Sequence, residues 1–254
     1  GSQGKAFLYN SIIANGLAEG GDCFNAGTIA INVRNLIRDG TCNPALSGDP
    51  VLGTLGNYGG SVPTLPLLPG SPAIDAGDVS TCLASDQRGV ARPQGSACDL
   101  GAFESRGFTL SGIGGNNQSA PINTPFAKPL TLTVSSNFTD PVNGGQVKFT
   151  APTSGASTNP TIYTATIMTG AAAVNVIANG VLGSYVVTAT AQGAAPIVTY
   201  TLTNTDVPIS SLTAVNDSPT QLSAATHFTA TIATGSNVTY TWDLGDGTPT
   251  AAGV

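Results

Sequence analysis

The sequence predicts an all-β protein, with stacked β-coils in its first part and β-sandwiches in the remainder. Its short apolar runs are separated by turn residues, including 32 glycines and 17 prolines, a pattern typical of strands rather than helices. Hydrophobic residues make up 41% of the chain, which is enough for packed cores. Charged residues make up only 9%, far below the roughly 25% of an average soluble domain. With 254 residues, the chain has room for two or three domains.

Residues 1–106 contain an internal repeat. The stretch AFLYNSIIAN (residues 6–15) is echoed by IAINVRNLIR (residues 29–38), and each copy places an asparagine before a small apolar cluster. Repeats of this size predict stacked coils, in which each coil buries its inner face only against its neighbours.

Three further motifs follow in a fixed order: LLPGSPAIDAG (67–77), DQRG (86–89) and CDLGAFE (98–104). This series resembles the C-terminal region of bacterial right-handed parallel β-helix surface proteins, in which it closes the solenoid. The resemblance covers roughly residues 5–106 and implies secretion and attachment to the cell envelope. We expect charge-assisted hydrogen bonds to tie the turns of this cap, through Asp75, Asp86, Asp99, Arg88 and Arg92.

All four cysteines lie within this first region, at Cys23, Cys42, Cys82 and Cys98. None forms a CxxC pair, and the single histidine cannot complete a zinc site. An even number of cysteines without metal spacing indicates disulfides and an oxidising compartment. Of the three connectivities, we favour the local one, Cys23–Cys42 and Cys82–Cys98. The alternative is a set of free buried thiols.

Residues 107–206 predict an immunoglobulin-like β-sandwich. Apolar and polar residues alternate strictly in 185–190 and in 198–202, and turn signals separate the apolar runs. The phrase GSYVVTAT (183–190) resembles bacterial Ig-like modules of large surface adhesins. The predicted strands are 130–134, 146–150, 161–168, 172–177, 184–191 and 197–203.

Residues 207–254 predict part of a second sandwich. The phrase YTWDLGDGT (240–248) resembles the strand-and-turn signature of PKD modules, which implies that Trp242 fills the core while Asp243 and Asp246 shape the turn. The same two carboxylates are a candidate calcium site, because calcium prefers oxygen ligands. The spacing lacks the longer acidic pattern of an EF-hand. About half a sandwich is present here, and the first coil is also cut off, so we expect both ends to need β-partners.

Composition also disfavours several classes of function. The net charge is −6, and the eight basic residues are scattered, so no nucleic-acid footprint exists. No run of 18 apolar residues predicts a membrane span. The only histidine, His227, lies far from any serine or cysteine motif, and no catalytic residue is predicted. We assign capping and turn roles, rather than glycoside hydrolysis, to the clustered carboxylates Asp75, Asp78, Asp86, Asp99 and Glu104.

Four sequons of the form N-x-[ST] are candidate glycosylation sites if the organism modifies secreted proteins: Asn117, Asn137, Asn216 and Asn237.

These features predict a secreted, non-enzymatic structural or adhesive protein of the bacterial cell surface, without a cofactor apart from the candidate calcium. The expected partner is a β-strand, supplied either by a second subunit in an end-to-end filament or by a neighbouring domain of the same polypeptide. Two alternatives stay open. One is the non-catalytic accessory region of a secreted polysaccharide-degrading β-helix enzyme, and the other is a glycan-binding module.

Overall fold

The computed structural model describes residues 4–16, 21–243 and 251–253, and within these residues the chain forms strands and no helix. The strands are β1 (Lys5–Tyr9), β2 (Ile12–Ile13), β3 (Thr28–Val33), β4 (Leu36–Ile37), β5 (Phe108–Gly114), β6 (Gln118–Pro121), β7 (Leu130–Ser135), β8 (Gln146–Thr150), β9 (Ile162–Thr166), β10 (Ala171–Val174), β11 (Gly183–Thr190), β12 (Ala194–Ala195), β13 (Val198–Thr205), β14 (Thr213–Asn216), β15 (Phe228–Thr231), β16 (Tyr240–Trp242) and β17 (Ala251–Gly253). The prediction of an all-β protein is confirmed.

The two copies of the N-terminal repeat lie side by side in parallel. Strand β1 pairs with β3, and β2 pairs with β4. The fully buried Asn35 closes the corner between them. Its Oδ1 accepts the N–H of Ser11, 24 residues away, at 2.8 Å, and its Nδ2 donates to the carbonyl of Leu8 at 2.9 Å. A buried amide with both ends bonded fixes the register of one coil on the next.

Residues 49–106, which we call the cap, contain only isolated bridges such as Leu52 with Leu67. Turns replace regular strands here, because prolines and glycines interrupt every apolar run. The cap nevertheless has a buried interior that includes Leu67, Leu100 and Phe103.

Residues 107–205, which we call the sandwich, form two sheets. One has the order β10-β7-β5-β12 and the other β6-β13-β11-β8-β9. Alternation in the sequence decides which side chains face inward: in β13, Val198, Tyr200 and Leu202 are buried, while Thr199 and Thr201 are exposed. Inward residues of both sheets belong to a single hydrophobic core.

All six strands predicted in this region are present, 146–150 with the predicted ends and the other five with somewhat different ends, but β5, β6 and β12 were missed. In β5 the pairing with β7 is interrupted between Ser111 and Gly114. Gly112 there has a φ of +65°, and the strand leaves the regular two-residue alternation. Strands β6 and β12 are too short for alternation to be visible in the sequence.

The C-terminal region forms two antiparallel pairs, β14 with β15 and β16 with β17. The rings of Phe228 and Trp242 pack with centroids 5.4 Å apart. Trp242 is half-buried and not enclosed, contrary to the expectation that it fills a core. Neighbouring apolar side chains such as Val215 are also largely exposed, so no second layer of described residues covers the rings.

Tyr200 provides a test of the contact between the two sheets. Its side chain is fully buried in β13, and its hydroxyl donates to the carbonyl of Thr131 in β7 at 2.8 Å. Burial raises the pKa of Tyr200 to about 12. We expect Tyr200→Phe to lower the free energy of unfolding by about 1–2 kcal/mol, because the Thr131 carbonyl loses its donor. Chemical denaturation measures this; Tyr9→Phe, at an exposed ring, is the control and should change stability by less than about 0.5 kcal/mol.

Candidate functional site

The contact between the cap and the sandwich is the most densely organised site in the described structure. Leu67, Ile74 and Leu100 of the cap belong to the same hydrophobic core as Leu130 and Val147 of the sandwich. The two regions are therefore joined by continuous packing and not by a flexible linker. We call this contact the junction.

Main-chain hydrogen bonds cross the junction at a close approach of two chain segments. The N–H of Gln146 donates to the carbonyl of Pro69 at 2.8 Å, and the N–H of Gly70 donates to the carbonyl of Gln192 at 3.0 Å. Gly70 has a φ of +86°, and a Cβ there would lie 2.5 Å from the Gln146 carbonyl oxygen. Only glycine fits at this position, because any side chain would separate the two segments.

Arg88 is the centre of an ionic cluster inside the junction. Its guanidinium donates to Asp86 Oδ2 through Nη2 at 2.7 Å and Nε at 2.9 Å. Nη2 also donates to the carbonyl of Glu104 at 2.6 Å. The guanidinium carbon lies 3.4 Å from the centroid of the Phe103 ring, and the two charged side chains are 2% and 0% exposed. Such a pair, closed in by an aromatic face, has very little access to water.

Asp140 is the contribution of the sandwich to this cluster, and it is the only acidic residue between positions 107 and 205. Its Oδ1 accepts from Arg106 Nη2 at 2.6 Å and lies 3.6 Å from Arg88 Nη1. Its Oδ2 accepts a hydrogen bond from the main-chain N–H of Arg106 at 3.1 Å. One sandwich carboxylate is thus held by two arginines that precede the sandwich.

Arg92 and Glu104 form the second half of the cluster. Arg92 donates to the carbonyls of Asp99 and Gly101 at 2.9 and 2.7 Å. Its Nε lies 3.4 Å from Glu104 Oε2, an ion pair in which the N–H is not aligned for a hydrogen bond. Glu104 is fully buried and accepts the N–H groups of Gln94 and Asp99, both at 2.9 Å.

The pKa values of the buried residues Asp86 and Asp99 shift in opposite directions. Burial alone would raise the pKa of Asp86, but hydrogen bonds from the Glu104 N–H and the Arg88 guanidinium outweigh it, and the pKa is lowered. Burial also raises the pKa of Asp99, to about 7, helped by the negative charges of Glu104 and Asp75. Asp99 accepts only main-chain N–H groups, from Asp75 and Ser105, and no arginine contacts its carboxylate.

The cap residues singled out in the sequence therefore have different roles. Asp86 and Arg88 pair with each other. Arg92 pairs with Glu104 instead of with an aspartate. Asp75 and Asp99 accept main-chain N–H groups, which gives them turn-stabilising roles. Asp78 does the same at its own turn, where its carboxylate accepts from Ser80.

Sequence reasoning missed Arg106 and Asp140 as members of the cluster. A signal for Asp140 was present, because a single carboxylate in a long segment with no other acidic residue is unusual. Its partners lie at sequence separations such as 34 residues, however, and only the folded chain brings them together.

The structure forms the disulfides Cys23–Cys42 and Cys82–Cys98, which are the pairs of the local connectivity. The second disulfide joins the loop after Asp78 to the buried strand-like segment at Cys98. Asn10 adds a contact from the first coil, since its Oδ1 accepts the N–H of Asp78 at 2.8 Å. The loop is thereby attached to both the coil and the cap interior.

The calcium prediction rests on Asp243 and Asp246. Asp243 lies beside Trp242 at the end of β16, whereas Asp246 lies outside the described residues. Among residues 4–16, 21–243 and 251–253, no group of three or more His, Cys, Asp or Glu side chains is placed to hold a metal ion. Calcium binding at this turn stays a prediction.

The four sequon asparagines, Asn117, Asn137, Asn216 and Asn237, are all exposed. Asn237 is the most constrained of them, because its Nδ2 donates to Asp206 Oδ1 at 2.6 Å. His227 is also exposed and lies directly before β15. Its main-chain N–H donates to Asp217 Oδ1.

Comparison with protein families gives one result. Residues 211–253 match the PKD domain. The match covers the C-terminal region and agrees with the resemblance carried by YTWDLGDGT. Neither the curated proteins nor the solved structures give a match to the chain. The PKD match and the two disulfides indicate an extracellular protein, and no helix that could cross a membrane is found in the part of the chain that the structure describes.

The raised pKa of Asp99 predicts an unusual dependence of stability on pH. Between the ordinary pKa of an aspartate, 3.8, and about 7, the folded chain binds more protons than the unfolded chain. The contribution of Asp99 to the free energy of unfolding is therefore fully present below pH 3.8 and is lost as the pH rises through about 7. We expect the free energy of unfolding to fall by on the order of 3 kcal/mol between pH 4 and pH 8.

Denaturant unfolding at a series of pH values measures this slope. Asp99→Asn removes the titrating group, so its free energy of unfolding should change less across the same range, whatever its absolute value. Asp49→Asn, at an exposed carboxylate, should keep the slope of the unsubstituted protein. A stability that is level or rising from pH 5 to pH 7 would contradict the assignment.

Proposed function

We propose that this chain is a non-enzymatic structural segment of an extracellular surface protein, in which the junction holds the N-terminal region and the sandwich as one rigid unit. The observation that carries the proposal is the pairing of Asp140 with Arg88 and Arg106 across a junction whose two sides share a continuous hydrophobic core. Interfaces between domains are commonly small and polar and permit movement. A shared core with buried, mutually oriented charges opposes such movement.

At the level of architecture, we propose that the N-terminal region is the end of a right-handed parallel β-helix and that the sandwich is an Ig-like module. The parallel pairing of β1 with β3 and of β2 with β4 supports the first assignment. The two facing sheets of four and five strands support the assignment of the sandwich as an Ig-like module. The PKD match supports a surface or adhesive role.

The proposal includes association through β-strands. Strands β1 and β2 are edge strands of their two-stranded sheets, and Phe7 of β1 is 57% exposed. Exposed edges of this kind accept further strands, from another subunit or from the same polypeptide. Electron microscopy of the concentrated chain distinguishes these sources: filaments support end-to-end assembly, and exclusively monodisperse particles argue against it.

The accessory region of a polysaccharide-degrading enzyme stays the alternative of a different class. The clustered carboxylates that such an enzyme would need are engaged in the junction, as Asp86, Glu104 and Asp140 illustrate. We therefore expect no turnover of a polysaccharide panel by this chain alone.

Asp140→Asn tests the rigid junction. It removes the negative charge with which Arg106 pairs, and it leaves Arg88 with Asp86 as its only carboxylate partner among the described residues. We expect a loss of about 3 kcal/mol in the free energy of unfolding. We also expect the cap and the sandwich to unfold separately, whereas the unsubstituted regions unfold together.

Hydrogen exchange followed by mass spectrometry measures both effects, by comparing residues 86–104 with residues 183–205. Lys148→Gln, at an exposed lysine of the same sandwich, is the matched control and should leave the two segments equally protected. If Asp140→Asn lowers protection by the same amount in both segments, or in neither, the ion cluster does not couple them.

A further inference from the structure

An open cleft of about 480 Å³ lies beside the junction, and Arg106 of the ion cluster lies in its wall. Five chain segments meet there, at residues 74–75, 94–95, 105–109, 137–138 and 191–195. The volume is in the range of sites for small ligands, and clefts between packed domains are frequent binding sites.

Polar side chains that line the cleft include those of Asp75, Gln94, Asn137 and Gln192, and these four keep part of their hydrogen-bonding capacity. Asp75 uses Oδ1 to accept the N–H of Ala97 at 3.2 Å. Gln94 and Gln192 each use Nε2 to donate to a main-chain carbonyl. Among the described residues, the second oxygen of Asp75, the two glutamine oxygens and the whole Asn137 amide have no protein partner, so these groups are available to a ligand.

Phe138 supplies an apolar surface at the same place. Its side chain is 47% exposed, and the guanidinium carbon of Arg106 lies 4.8 Å from the ring centroid. Arg106 also donates to the Phe138 carbonyl at 2.8 Å while it pairs with Asp140. The ring is therefore positioned by the junction before any ligand arrives, which reduces the entropic cost of binding.

The chemistry of these groups selects the class of ligand. Anions are disfavoured because the guanidinium of Arg106 is already paired with Asp140, and Asp75 adds a negative charge. Amides and a carboxylate together donate to and accept from hydroxyl groups, and an aromatic ring packs against an apolar face. We propose that this cleft binds a neutral sugar unit of a glycan chain. The rigid junction would then also present a recognition site.

The experiment uses the full chain, made in a host without N-glycosylation so that Asn137 stays unmodified. The chain is applied to a printed array of neutral, anionic and amine-bearing oligosaccharides, and the best-retained neutral oligosaccharide is titrated by calorimetry. We expect retention of neutral oligosaccharides. Phe138→Ala and Asp75→Asn should each weaken the association at least tenfold. Asparagine is a suitable replacement for Asp75, because the φ at this position is +57° and asparagine adopts this left-handed conformation more readily than most residues.

Phe24→Ala is the matched control, since it removes a ring that is 79% exposed and lies outside the cleft. It should leave the affinity unchanged, and circular dichroism should show that all variants are folded. Retention of anionic or amine-bearing oligosaccharides alone, retention of none, or equal affinity of all variants would overturn the proposal. Coupling across the junction is measured separately by hydrogen exchange, so the two proposals can fail independently.

Discussion

The pairing of Asp140 with Arg88 and Arg106 is the interaction on which the arrangement of the first two regions depends. A carboxylate and two guanidinium groups cannot stay charged in a water-poor interior unless they face one another at close range. The three side chains come from both sides of the junction, so their mutual geometry also fixes the geometry of the two regions. The hydrophobic core supplies most of the stability, while the charge pairs add directional contacts across the junction.

Buried carboxylates also compensate for the lack of regular secondary structure in the cap. Asp86, Asp99 and Glu104 use their oxygens to accept main-chain N–H groups that would otherwise be unpaired. Side chains thus replace the hydrogen-bonding ladder of a sheet in a segment that is rich in proline and glycine. Burial of these carboxylates has an electrostatic cost: it is the main cause of the raised pKa of Asp99, and the neighbouring charges of Glu104 and Asp75 add to it.

The buried interior ends with the sandwich. Among the described residues, none after Asn204 belongs to the buried set, and the PKD region keeps side chains such as Val215 and Leu222 largely exposed. Within the described residues, two regions that share one buried core are therefore followed by a C-terminal region with little buried interior.

Alternation made the longer sandwich strands predictable, because a strand that buries one face must place apolar residues at every second position. Strand β5 was missed, because Gly112 and Gly114 remove the side chains that would have shown the pattern. Trp242 was expected in a core and is half-buried, since burial depends on a covering layer that local sequence cannot report. The cleft was not predicted at all, because its lining comes from five separate segments.

The sequence by itself determined the all-β character, the cysteine framework and the PKD signature, because each of these depends on residue types at short separations. The tertiary structure alone decided which charges meet, since Arg106 and Asp140 lie 34 positions apart and neither carries a local motif. It also decided that the cap and the sandwich share one core. Contacts between distant segments depend on how whole regions pack, and no local pattern encodes that packing.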